Sequence, residues 1–159
     1  MIIRVAPFLF SMLIHRILTP ERTLDGVHGV SKKKILEFIA DRISSEVLEI
    51  NAKELFEALV GRERIGTTGL GEGVAIPHCR CKACPEPVGL FMRLAEPVDF
   101  DSVDKKPVDL VFALIVPEDE NQEHLEILKT LAERFHSALM LQKIRAATNT
   151  GMLYRCISD

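Results

Sequence analysis

Apolar residues recur at two different periods along this chain, and the switches between them mark out its elements. From Lys32 to Val47, the positions Ile35, Phe38, Ile39, Ile43 and Val47 fall on one side of a 3.6-residue turn. Ser31 stands before them as an N-cap, so an amphipathic helix is predicted there. Asn51 caps a second predicted helix from Ala52 to about Arg62, with Leu55, Phe56 and Leu59 as its stripe. The longest predicted helix runs from Gln122 to about Leu141, where Leu125, Leu128, Leu131, Phe135 and Leu139 form the stripe and Ala132 permits close packing. Residues Gln142 to Ala147 add a turn or two, and Gly151 to Asp159 a last short helix. Three stretches read as strands instead: Val74-Ala75-Ile76, Val88 to Leu94, and Val108 to Val116. The last is nearly all apolar without alternation, which fits a strand buried on both faces and so helices on both sides of a sheet. Thr23 to Val30 is a short extended piece broken by two glycines, and Glu96 to Pro107 a charged, turn-rich connection.

A chain of 159 residues buries about two thirds of its unfolded surface around one core, so a single domain is expected. Its 20 basic and 23 acidic residues give a formal net charge of −3 with no basic block, which speaks against a nucleic-acid or anionic-membrane surface and for protein or small-molecule partners. Four cysteines, three crowded at positions 79, 81 and 84, do not form the spread pairs of a secreted disulfide scaffold, so a reducing cytoplasm is the expected location. The first stretch has an arginine before an apolar run. It lacks a small-x-small cleavage site, contains Pro7 and is too short to span a bilayer, so residues 1–13 are expected to be an N-terminal extension, with Met12 an alternative start and residues 14–159 the domain proper.

Candidate chemistry concentrates between residues 61 and 78. Glycines at 66, 69, 71 and 73 allow positive φ and close approach of a ligand, so Gly66, Thr67, Thr68, Gly69 and Gly71 form a candidate phosphate-binding loop. Pro77 holds Ile76 extended and fixes the direction of His78, the candidate reacting group. The same pattern also describes a glycine-rich turn with a capping histidine. Arg62 and Arg64 lie at a predicted helix C-terminus, where cations are favoured in any case. His124 falls in the first turn after the apolar strand, a place where open α/β sheets bind ligands and where solvated histidines are also ordinary. GxxxxGK[ST] and GxGxxG are both absent, which argues against a nucleotide, and no clustered carboxylates suit magnesium; no cofactor is expected.

The run Gly61-Arg62-Glu63-Arg64-Ile65-Gly66 through Ile76-Pro77-His78, then Pro107 to Pro117, then Glu123-His124-Leu125, resembles the enzyme IIA domain of the bacterial phosphoenolpyruvate-dependent phosphotransferase system, in its fructose/mannitol and nitrogen-regulatory class. Three separated segments match in order, over about residues 14 to 157. With no permease or further carrier domain in the 159 residues, the likeness is greatest to free-standing nitrogen-regulatory members. The resemblance implies a sandwich with a mixed β-sheet flanked by helices on both faces. It also implies His78 as phosphoryl acceptor and donor, with His124 and Arg62 stabilising the phosphoryl group. The implied donor is a phosphorylated histidine-containing carrier protein, and the implied recipients are regulatory target proteins or, for a sugar-transport enzyme IIA, a separate enzyme IIB. The chemistry is coherent on its own terms. A neutral imidazole is abundant near pH 7, its phosphoramidate keeps transfer potential, and phosphoryl transfer needs mainly positioning and charge stabilisation.

The chain departs from the family where glycine and a basic residue usually follow the histidine: here the run is His78-Cys79-Arg80-Cys81-Lys82-Ala83-Cys84. Cys81-x-x-Cys84 has metal-ligand spacing, and His78 with Cys79 could complete a tetrahedron, so a zinc or thiol sensor built on Cys79, Cys81 and Cys84 stands as an alternative. A pure binding module that keeps the fold is the other.

Overall fold

In the computed structural model, which describes residues 7–119 and 122–159, the chain's centre is the strand Val108–Pro117. Among the described residues, six α-helices surround it: α1 (Pro7–Ile17), α2 (Lys32–Glu46), α3 (Ala52–Ile65), α4 (Gln122–Phe135), α5 (Ala138–Ala146) and α6 (Thr150–Ser158). The strands are β1 (Thr23–Val27), β2 (Gly69–Gly71), β3 (Val74–Ala75), β4 (His78–Cys81), β5 (Val88–Val98) and β6 (Val108–Pro117). They form one mixed sheet in the order β1-β5-β6-β3-β2, with β4 also paired to β6. β3 and β4 lie end to end along the same side of β6, both parallel to it, with Val74 opposite Leu110 and His78 opposite Leu114. Pro77 sits at the join, and its carbonyl still accepts the Leu114 N–H at 2.9 Å.

Alternation along β6 divides the core. Val111, Ala113 and Ile115 face α2 and α3, where Ile35, Ile39, Ile43, Leu55 and Leu59 are buried. Leu110, Phe112, Leu114 and Val116 face the other layer, built from α1, α4, α5 and α6 through Ile14, Ile127, Leu131, Phe135 and Ile144. Phe91, Phe112 and Phe135 meet there with ring centroids 5.9 to 6.4 Å apart. A strand buried on both faces is therefore the hinge of an α/β sandwich, as its unbroken apolar run predicts. The predicted caps also form. Ser31 and Asn51 accept the backbone N–H groups of Lys34 and Glu54, each worth about 1 kcal/mol.

Two expectations need correction. The single helix predicted from Gln122 to Leu141 is two helices, interrupted at His136 and Ser137, with Ser137 capping α5 through the Met140 N–H. The break rotates Met140, Leu141 and Ile144 inward and leaves Leu139 62% exposed. Leu125, also assigned to the stripe, is 56% exposed, and the buried positions of α4 are Ile127, Thr130, Leu131 and Phe135. At the other end, α1 runs across the expected boundary between residues 13 and 14 and buries Phe10, Ile14 and Ile17; residues 1–6 of the expected extension lie outside the described residues.

Candidate functional site

The edge of the sheet at β4, the last turns of α3 and the first turn of α4 enclose a cleft of about 430 Å³. His78, Arg62 and His124 all line it, so three positions widely separated in sequence come to one wall-to-wall space. Strand alternation explains the orientation of β4. Cys79 packs into the α2/α3 core at the floor of the cleft, and its neighbours His78 and Arg80 line the cleft as well. Ala58, Ile65, Leu125 and Leu128 give the cleft an apolar collar.

The His78 ring is held by its Nδ1, 2.7 Å from the carbonyl oxygen of Ile76. A carbonyl only accepts, so Nδ1 carries the proton and Nε2 keeps a free lone pair. Burial pushes the His78 pKa below the ordinary histidine value, the Ile76 carbonyl pulls it back up, the Arg62 charge lowers it and the Glu63 charge raises it. Burial prevails, and the ring is neutral at physiological pH. Arg62 is fixed by one Nη1–H, donated at 2.9 Å to the Gly66 carbonyl beyond the helix end, which leaves its other donors available to a ligand. His124 has a buried Nδ1 that meets no hydrogen-bond partner among the described residues.

The glycine loop is placed differently from the expected anion cradle. Among the described residues, none of Gly66, Thr67, Thr68, Gly69 and Gly71 lines the cleft. Several of their polar groups are engaged within the chain. The Thr68 N–H and hydroxyl both donate to the Glu63 carboxylate, the Gly69 N–H donates to Thr67 Oγ1 at 3.0 Å, and the Thr67 hydroxyl donates to the Phe100 carbonyl at 2.6 Å. Gly71 and Gly73 have φ of 101° and 79° around Glu72 at 56°, which closes a tight hairpin between β2 and β3. The glycines build the hairpin that delivers His78.

The candidate cysteine site does not assemble either. Among the described residues, no group of three or more His, Cys, Asp or Glu side chains could hold a metal ion. Cys79 is buried in the core cluster on the α2/α3 side, although it also borders the cleft beside His78. Burial raises the Cys79 thiol to about 12 and the Cys84 thiol to about 11, and Cys84 Sγ donates to the Glu86 carbonyl at 2.9 Å. Arg80 in the cleft was not singled out by the sequence reading, although period-two spacing from His78 pointed to it.

A comparison with protein families decides the assignment: residues 16–159 match the model for the phosphoenolpyruvate-dependent sugar phosphotransferase system, EIIA 2. The chain belongs to this EIIA family. It is 44% identical over 146 residues to a nitrogen regulatory protein of Pseudomonas aeruginosa, covering 92% of this chain and 95% of that one. The crystal structure of nitrogen regulatory protein IIA-Ntr from Neisseria meningitidis superposes with a TM-score of 0.85 at 36% identity, over 91% of this chain and 99% of the other. Enzyme IIA mannitol of Escherichia coli, solved in a complex with phosphorylated enzyme IIB mannitol, shares the fold with a TM-score of 0.73 at 16% identity, over 89% and 98% of the two chains. An EIIA chain has a phosphocarrier role in the phosphotransferase system. Among the described residues, no helix of this EIIA chain is long and apolar enough to cross a membrane.

Proposed function

We propose that this EIIA protein accepts a phosphoryl group on Nε2 of His78 from a phosphorylated histidine-containing carrier protein. The supporting observation is the convergence of His78, Arg62 and His124 on one cleft, with Nδ1 of His78 already committed to Ile76. In the transfer, the Nε2 lone pair forms a bond to phosphorus while the P–N bond to the donor imidazole breaks. The donor ring leaves with that electron pair. The Nδ1 proton stays on His78, where the Ile76 carbonyl offsets the positive charge gained by the ring. Arg62 and the imidazole of His124, whose Nδ1 meets no partner among the described residues, stabilise the three equatorial oxygens, work that such donors do best in a cleft already shaped for it.

The similarity to nitrogen regulatory proteins favours a cytoplasmic regulatory role in which the phosphorylation state governs binding to target proteins, over onward transfer to a sugar-specific enzyme IIB. Incubation with the phosphorylated carrier and mapping of the modified residue tests the acceptor. Label on His78 that vanishes in His78→Ala is expected, and label on another residue, or none, overturns it.

A further inference from the structure

Resting on His78 as the phosphoryl acceptor, we propose that Glu63 is a positioning residue for that transfer: it anchors a chain of hydrogen bonds that ends on Nδ1 of His78. Glu63 follows Arg62 on α3, but its side chain turns away from the cleft toward α2 and the hairpin. Its carboxylate is almost wholly buried, at 6% exposure, and is met from two sides. Lys32 Nζ stands 2.6 Å from it, itself steadied by the Phe100 ring and the Phe100 carbonyl. From the hairpin, Thr68 donates its N–H to both carboxylate oxygens at 3.2 and 3.3 Å and adds its hydroxyl.

The chain continues from there. The Thr68 carbonyl accepts the Ile76 N–H at 3.0 Å, and the Ile76 carbonyl accepts Nδ1–H of His78 at 2.7 Å. Glu63, Thr68, Ile76 and His78 are thus linked without a gap, while Arg62, one residue from the anchor, holds the opposite wall of the cleft. One carboxylate therefore references both walls, the helix carrying the guanidinium and the strand carrying the nucleophile. Its charge is needed because it must accept three donors and neutralise a neighbouring ammonium in a poorly solvated place. Glutamine would keep the shape, yet one of its two polar ends is a donor and would oppose Lys32 or Thr68.

The experiment compares wild type, Glu63→Gln and Thr68→Val, the last removing only the hydroxyl link. Two readouts are taken: saturation kinetics of phosphoryl transfer from the phosphorylated carrier, and ¹⁵N chemical shifts of the His78 ring nitrogens in unphosphorylated protein. The expected result for Glu63→Gln is a loss of about tenfold to a hundredfold in maximal transfer rate at unchanged half-saturating carrier concentration. It should come with ¹⁵N shifts showing a smaller share of the Nδ1–H tautomer. Thr68→Val should show the same pattern to a lesser degree, which covers the case of a poorly folded Glu63→Gln. Unchanged ring shifts in both variants overturn the assignment, as does a rate loss expressed only as a higher half-saturating concentration. If wild type is not labelled on His78 at all, the acceptor reading fails by itself, while the ring-nitrogen shifts still decide whether Glu63 orders the imidazole.

Discussion

Gly69 separates two explanations of the glycine loop, and a double-mutant cycle with Ser102 distinguishes them. A Cβ added at Gly69 would fall within the Ser102 hydroxyl and stand 3.1 Å from the Ser102 Cα, and Gly69 has no positive φ, so the obstacle is packing and not backbone strain. Overpacking of this kind costs about 1–3 kcal/mol. Restricting the unfolded chain by replacing glycine returns about 0.4–1 kcal/mol, so Gly69→Ala should lose on the order of 1–2 kcal/mol net. Ser102 is the natural partner because its hydroxyl is buried and meets no hydrogen-bond partner among the described residues; Ser102→Ala alone should be close to neutral. In that background the worst contact is gone and only the 3.1 Å approaches to Cα and Cβ of residue 102 remain, so the cost of Gly69→Ala should fall by about 1 kcal/mol, read as a coupling energy. Urea unfolding of the four proteins, compared at constant m, measures the cycle, with phosphoryl acceptance recorded alongside. The reasoning fails if Gly69→Ala unfolds at the wild-type urea midpoint but no longer accepts phosphate, since that is the behaviour of a glycine kept clear for an approaching anion.

Arg62→Ala should lower phosphoryl acceptance by about a hundredfold or more while leaving the thermal midpoint nearly unchanged, and Arg62→Lys should restore little, because a point charge cannot reproduce the guanidinium fork; rapid-quench transfer assays check both. Since burial lowers the His78 pKa, transfer should persist as pH falls below the ordinary histidine range and fail only on protonation of Nε2, which NMR titration of the ring locates. The same shift has a stability sign. The neutral ring's contribution is present above the unfolded-state value of about 6.5 and is lost as pH falls through the lowered folded value, so His78→Gln should flatten the acid side of the stability curve. With Cys79 raised to about 12 and Cys84 to about 11, both thiols should stay unlabelled by an aromatic disulfide reagent at pH 8 until urea unfolds the chain; fast labelling of either in native protein would contradict their placement.

What could be read from the chain alone was whatever its signal kept local. The unbroken apolar run of β6 predicts burial on both faces, and Ser31 and Asn51 mark their helix starts without help from distant residues. The break between α4 and α5 was hidden because Leu139 lies four residues after Phe135 and so continues the stripe on paper; only Ser137 hinted at a new start. The loop shows the deeper limit. Gly69, Gly71 and Gly73 look alike in sequence, yet Gly71 and Gly73 serve the φ values of a hairpin, and Gly69 makes room for Ser102 on the connection after β5. A run of glycines announces that the backbone is unusual there, but whether the vacant space belongs to a ligand or to another part of the same chain is fixed by long-range packing. The same holds for Glu63. In sequence it is one charge among three at a helix end; in the fold, Lys32 and Thr68 make it the reference point between the two walls of the cleft. Chemistry-bearing residue types were therefore legible by kind and order. The groups that hold them in place were not, because each acts through a partner brought in from a different element.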